Sequence, residues 1–187
     1  MIFKKEIKEE KAIVLDFLPN GYPFDPRPMH KKTPIAQALG KEHFIILELV
    51  PKRGVFLQPY QEVYMGEGKR DQIHHIIGRI SAEKLTQTAQ AELEVIISDL
   101  VSKSEARFVE FFNKADPINT RRHQLELLPG VGKKHMLDIL EKRDEKPFES
   151  YDDIKNRVNL IPDPRKLIIK RILIEIKGED KYKIFLS

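Results

Sequence analysis

Two periodicities divide the chain. Up to about residue 85, short runs heavy in Ile, Val, Leu and Phe alternate with Pro- and Gly-rich stretches. "KAIVLDFL" (11–18) and "HFIILELV" (43–50) predict strands. "PYQEVYM" (59–65) shows partial alternation, and "DQIHHIIGRI" (71–80) is a fourth strand candidate. Five prolines, at 19, 23, 26, 28 and 34, fall between the first two runs. That stretch reads as a long loop with one helical turn near 34–39, and its prolines argue against a central strand.

From residue 86 the period becomes helical. Leu93, Ile96, Ile97, Leu100 and Val101 recur at i, i+3, i+4, i+7 and i+8, with Thr86 or Thr88 as candidate N-cap. Phe108, Phe111 and Phe112 extend the stripe to about residue 115; their spacing favours packing over a base-stacking platform. "ADPIN" (115–119) interrupts it. Short helices joined by tight turns are then predicted. One spans 118–128, capped by Thr120 with Leu125 and Leu128 inward; another spans 133–143, packing through Met136, Leu137, Ile139 and Leu140. The class is therefore α+β. Its N-terminal small β-barrel covers 1–85, a connecting helical segment covers 86–117, and an all-α unit covers 118–187. Four or five short strands with uneven loops suit an OB-like barrel.

Between the two C-terminal helices stands "PGVG" followed by two lysines (129–134). Pro129 stops the first helix, Gly130 and Gly132 permit positive φ and expose their amides, and Val131 is an apolar pin. The second helix begins near Gly132, so its unpaired N–H groups and positive dipole end face outward, a ready place for phosphate. Lys133 and Lys134 in the first turn oppose the dipole, a conflict that an anionic ligand would remove. This is the helix-hairpin-helix pattern, whose family binds nucleic-acid backbones without reading bases, although such hairpins also serve as packing or protein-contact units. Thirty-three residues on, "VNLIPDPRKLIIKRILIEI" (158–176) repeats "LELLPGVGKKHMLDILEKR" (125–143). Ser150 is the expected cap of the helix leading into this second copy, with Asp152 and Asp153 in its first turn. Asp163 and Pro164 replace the glycine-rich turn, so the second copy is expected to pack against the first. Arg165, Lys166, Lys170 and Arg171 can still add charge.

Charge sharpens this. Residues 1–117 carry 17 basic and 17 acidic side chains, residues 118–187 carry 16 and 12, and the net +4 lies wholly in the second part. The absence of cysteine excludes disulfides, thiol catalysis and cysteine-ligated zinc. No apolar run approaches the roughly 20 residues of a membrane span, and "MIFKKEIKEE" has no signal-peptide core. A cytoplasmic protein without membrane association is expected.

Other motifs fit poorly. A P-loop needs glycine where Leu127 stands and Ser or Thr after its lysine. A dinucleotide fingerprint needs glycine where His135 stands. A helix-hairpin-helix glycosylase would place its catalytic aspartate near Asp152 or Asp153, which serve adequately as helix-start residues, and would precede the hairpin with helices rather than strands. His74 and His75, adjacent on a strand, should point to opposite faces and so not share a metal; His30, His43, His123 and His135 show no ligand spacing.

Over its full length the chain resembles an uncharacterised archaeal family. The likeness rests on the strands, on "LTQTAQAELEVIISDLVSKSEARFVEFFNKADPINTRRHQLELLPGVGKK", on "PFESYDDIKNRV" and on the terminal "KYKIFL". Its members are described as predicted nucleic-acid-binding proteins with an OB-like domain and tandem helix-hairpin-helices. The resemblance implies that fold and a generic binding activity, with no catalytic residue. The expectation is a non-enzymatic nucleic-acid-binding protein without cofactor or metal, RNA slightly ahead of DNA as target. The alternative is a protein-interaction adaptor among ribosomal or transcription components. Candidate contacts are Gly130, Val131, Gly132, Lys133 and Lys134 at the hairpin, with Arg121 and Arg122 before it. On the barrel they are the loop residues Lys52, Arg53, Lys69 and Arg70. Tyr60 and Tyr64, spaced for one strand face, are candidates for base stacking, or else half-buried packing residues.

Overall fold

The computed structural model describes residues 8–186; the part of the N-terminal signal-peptide reading that rests on residues 1–7 lies outside them. The protein is of mixed α+β class. It divides into two compact units, Met1–Ile96 with Glu175–Ser187, and Ile97–Ile174. The connecting segment expected over 86–117 is thus shared between units, and the last stretch of the chain groups with the strands rather than with the helices.

In the first unit, β1 (Lys11–Leu18), β2 (Ile35–Gly40), β3 (Ile46–Pro51), β4 (Glu62–Tyr64) and β5 (Ile73–Arg79) form one curled antiparallel sheet in the order β4-β1-β2-β3-β5. It is a half-barrel whose two edges, β4 and β5, do not pair. β1 matches its predicted span, β4 and β5 lie within their predicted runs, and β3 is shifted, starting three residues after the predicted start and ending one residue past the predicted end.

β2 corrects the expectation of a loop with a helical turn at 34–39: it is the middle strand of the sheet, and all six of its residues are buried. The prolines do occupy the loop, and the strand begins one residue after the last of them. Burial on both faces removes the alternation that marks a strand. Its small residues Ala36 and Ala38, poor strand formers by propensity, fill narrow space in the core beside Val14, Leu47 and Leu49.

Two buried polar residues tie this sheet together. Gln37, on β2, donates to the Tyr22 hydroxyl at 2.8 Å and to the Lys84 carbonyl at 3.0 Å, and accepts from the Thr86 amide at 2.9 Å. The Thr86 hydroxyl in turn accepts from the Ala89 amide at 3.0 Å, capping α1 (Gln87–Lys103). Burial, followed by the hydrogen bond to Glu48, pushes the Tyr22 phenol up to about 12. Glu9 accepts from the amides of Glu42 and His43 at 2.9 and 2.7 Å and lies against Gly40, where any Cβ would come within 2.0 Å of its carboxylate. The terminal segment has no strand among its described residues. Glu175, at the end of α5 (Pro164–Lys177), accepts from the amides of Ile184, Phe185 and Leu186 at 2.9–3.0 Å.

The second unit holds the end of α1, α2 (Glu105–Lys114), a small hairpin of β6 (Pro117–Asn119) and β7 (Arg122–His123), α3 (Lys133–Glu145), α4 (Tyr151–Arg157) and most of α5. The single stripe predicted to run to 115 is broken at Ser104. Phe108 and Phe112 are core residues, as their spacing implied. The helix expected over 118–128 is absent. In its place the β6–β7 turn, in which the Asn119 side chain accepts from the Arg121 amide at 2.9 Å, leads into a short 3-10 helix, Gln124–Leu127. Thr120 is therefore not a cap. His123 is: its Nδ1 accepts from the Leu125 amide at 3.1 Å while the Glu126 carboxylate accepts from the His123 amide at 2.9 Å, a reciprocal capping box. Ser150 caps α4 as expected, accepting from the Asp153 amide at 3.0 Å.

Arginines close other helix ends. Arg143 donates to the Phe112 and Ala115 carbonyls at 3.2 and 2.8 Å, and Arg157 donates to the Lys142 and Lys146 carbonyls at 2.5 and 2.8 Å. Arg171 is 2 % exposed and donates to the Leu127 carbonyl at 3.3 Å, so it does not add surface charge.

Candidate nucleic-acid interface

The glycine-rich turn is built as a β-turn over Leu128–Val131, closed by the Val131 amide donating to the Leu128 carbonyl at 3.0 Å. Pro129 and Gly130 are its central residues; Gly130, with φ +97°, supplies the left-handed conformation that the second of them requires in a type II turn. A Cβ at Gly130 would stand 3.5 Å from Pro162 and 3.7 Å from Leu167, so the first hairpin packs on the second at this point. Val131 is buried, as a pin should be. Gly132 differs from the expectation. It is the N-cap of α3 with φ −93°, an ordinary extended value, and nothing lies within 4 Å of where its Cβ would be. Its contribution is an open approach to the helix end.

No side chain hydrogen-bonds into the first turn of α3 among the described residues, and that turn contains no acidic residue. Gly132, Lys133 and Lys134 are all exposed, and among the described residues neither lysine has an ion pair. The start of α5 is the opposite case. The Asp163 carboxylate accepts from the Arg165 amide at 2.9 Å and the Lys166 amide at 3.3 Å, and Pro164 fills the first helical position, where no N–H is needed. One hairpin therefore carries its own anion on the helix end, and the other presents bare amides beside two lysines.

The repeat also shifts its left-handed residue. In the first copy this is Gly130; in the second it is Leu160, φ +55°, the counterpart of Leu127. Leu127 is 5 % exposed and Leu160 is 83 % exposed. Leu137, expected to pack within its helix pair, is 60 % exposed instead.

Arg121 and Arg122 are exposed at the β6–β7 turn. In the strand-rich unit, Lys52 donates its ammonium to the Arg70 carbonyl, and Arg70 donates from Nε to the Gly66 carbonyl at 2.9 Å. That bond joins the 51–54 turn to the 66–71 loop and brings the Lys52–Arg53 and Lys69–Arg70 pairs to one end of the sheet. A groove of about 1090 Å³ follows the 66–70 loop. Its lining sets Arg70 and Arg79 against Glu10 and Glu67, a mixed rather than cationic surface.

The tyrosine pair does not share a strand face. β4 starts at Glu62, and Tyr60 lies before it in a left-handed turn (φ +69°), its hydroxyl on Glu92. Tyr64 is half-buried, and its hydroxyl accepts from the Gly68 amide at 3.2 Å. The best exposed rings were missed from sequence: Phe24, 81 % exposed and stacked on Tyr22 at 4.9 Å, and Phe56, 76 % exposed and edge-on to Phe17. The available signal was aromatic residues set in aperiodic, Pro-rich surroundings.

The histidine geometry also needs correction. The register of β5 against β3 slips between Val50 and Pro51, which leaves His74 as a bulged residue. Its Nδ1 comes to 2.8 Å from Nδ1 of His75, so the rings meet instead of pointing apart. No group of three metal-ligating side chains occurs among the described residues, and no described helix is long and apolar enough to cross a membrane.

Residues 8–187 match the family described as "Protein of unknown function (DUF655)". The chain is 43% identical to the uncharacterized protein MJ0038 of Methanocaldococcus jannaschii, over all of this chain and 86% of that one. Its fold is similar to the crystal structure of Af1531 from Archaeoglobus fulgidus, described under the same family, with a TM-score of 0.86 and 46% identity. That match covers 96% of this chain and 100% of the other.

Proposed function

The chain belongs to the DUF655 family. From the geometry of its two hairpins we propose that it is a non-enzymatic nucleic-acid-binding protein that grips phosphates at the start of α3. In this reading the second unit is a tandem helix-hairpin-helix domain and the half-barrel an OB-like domain. The observation that carries the proposal is the contrast between the two hairpins. Asp163 supplies an oxygen to two first-turn amides of α5, and the corresponding amides of α3 have no such partner among the described residues. A phosphate oxygen has the same acceptor chemistry and takes that place, with Lys133 and Lys134 screening its charge. Backbone amides see only phosphate, so binding is indifferent to base sequence.

The strand-rich unit contributes the Lys52, Arg53, Lys69 and Arg70 cluster and the exposed rings of Phe24, Phe56 and Tyr60, suited to unstacked bases. RNA is slightly favoured over DNA because single-stranded or folded RNA offers more such bases.

The test is the salt dependence of binding to bulk duplex and single-stranded nucleic acid, for the full chain and for Lys133→Ala/Lys134→Ala. Affinity should fall steeply with salt, and the double variant should lower the log–log slope by roughly one to two units with the fold intact. An unchanged slope removes the hairpin from the interface. Salt-insensitive association with protein components would favour the adaptor reading.

A further inference from the structure

We propose that Leu160 and Leu137 form an apolar wedge that enters a break in base stacking while the start of α3 holds the neighbouring phosphate; this rests on the nucleic-acid reading above. Three independent observations converge on it.

The first is the eversion of Leu160. Its repeat counterpart, Leu127, is a core residue, whereas Leu160 is 83 % exposed with φ +55°. Leucine rarely adopts that conformation, and asparagine does so far more readily. An asparagine, Asn159, stands directly before it in the same turn, yet the left-handed position falls on the leucine. The turn therefore presents a large apolar side chain to water at a backbone position suited to a small polar one.

The second is the company it keeps. The Asn159 amide donates to the Asp138 carboxylate at 2.7 Å, which binds the second hairpin's turn to α3. In sequence Leu160 follows Asn159 and Leu137 precedes Asp138, and both are among the large exposed hydrophobics of the protein.

The third is charge. Lys133 and Lys134 precede Leu137 by four and three positions on α3, so they lie on its face one turn towards the open helix end. The apolar point has lysines and bare amides towards the helix start and the exposed Glu141 one turn beyond it on the same face, so a ligand is expected to set its phosphate on the helix-start side and its apolar faces over the leucines. Stacked bases have that order, and leucine is among the side chains that proteins insert between base steps. Two leucines are too small an area to hold a bilayer, but they fit one base step. The preferred ligand is thus a duplex with a weak point such as a bulge, where unstacking is easy.

The experiment uses the full chain, a perfect duplex, the same duplex with a one-base bulge beside 2-aminopurine, and vesicles containing anionic phosphatidylglycerol. The wild type should prefer the bulged duplex by on the order of tenfold and raise the 2-aminopurine fluorescence. Leu160→Asn and Leu137→Gln should bring that preference to about one and abolish the fluorescence rise. Perfect-duplex affinity and its salt slope should stay unchanged. Leu160→Gly, which the left-handed backbone accommodates, is the second variant should Leu160→Asn fail to fold. Equal wild-type affinity for both duplexes, with Lys133→Ala/Lys134→Ala still weakening them, overturns the wedge and leaves phosphate binding standing. Loss of vesicle binding in the leucine variants without loss of bulge preference overturns it in favour of a lipid surface. Absence of binding to either duplex removes both readings.

Discussion

The Asp163 carboxylate accepts from the Arg165 amide at 2.9 Å, closing one of two repeated helix starts and leaving the other, at Gly132, open. Placing the same group on the open helix tests what the opening is for. Because φ at Gly132 is −93° and its Cβ position is unobstructed, Gly132→Asp should be free of strain. It should stabilise the fold by a few tenths of a kcal/mol through capping and the helix dipole, yet abolish nucleic-acid binding. Asp163→Ala should do the reverse, costing about 1 kcal/mol with affinity intact. Urea unfolding and a binding titration on both variants give the answer.

His123 predicts a pH dependence of stability. Burial, then the nearby Arg143 guanidinium, holds its imidazole below the usual value of 6.5, and its Nδ1 must stay unprotonated to accept from the Leu125 amide. The unfolded chain takes up the proton first, so this contribution is complete above about pH 6.5 and is lost as pH falls through the folded value. His123→Asn, which keeps a capping oxygen without the titration, should remove that part of the slope in unfolding free energy between pH 7 and pH 5. An unaltered slope would show that other groups set it.

Leu160→Gly should separate stability from binding. Relief of a left-handed leucine is worth roughly 1–2 kcal/mol, and the added freedom of glycine in the unfolded chain takes back about 0.5–1. A net gain of about 0.5 kcal/mol is expected, read as a raised Tm, together with loss of the bulge preference. A lowered Tm would mean that Leu160 makes stabilising contacts despite its exposure.

Gly40→Ala should be the most damaging single-methyl change in the sheet. Its Cβ would stand 2.0 Å from the Glu9 carboxylate, which would have to leave the Glu42 and His43 amides. Loss of both bonds in a buried site should cost about 3 kcal/mol or more, measurable by urea denaturation. Normal stability would show that Glu9 can be rehoused.

What the residues disclosed in advance depended on whether a feature was written in periodicity or in backbone angle. β1 was legible because a branched, apolar run bounded by turn residues has few other readings. The turn at 128–131 was legible because Pro followed by Gly at that spacing specifies its geometry. β2 was not: "IAQALG" combines helix-favouring alanines with burial on both faces, and only its pairing with β1 and β3 makes it a strand. The helix expected at 118–128 failed because a local Asx turn at Asn119 competes with the helical pattern of the leucines. Leu160 was hidden most completely. By alignment it equals a core leucine, yet it stands in a turn with a left-handed backbone and an exposed side chain, whereas Leu127 ends a 3-10 helix.

A helix end without a side-chain partner among the described residues has a thermodynamic corollary. Under the phosphate-binding reading, any anion that occupies the α3 terminus adds its binding free energy to folding, in proportion to the logarithm of its concentration once the site is filled. The melting temperature is then a property of the solution as much as of the chain, rising with sulfate or polyphosphate at constant ionic strength. Gly132→Asp would flatten that response. The open hairpin would then act as a gauge of surrounding polyanion, and protein outside its complex would be the fraction most readily unfolded and cleared.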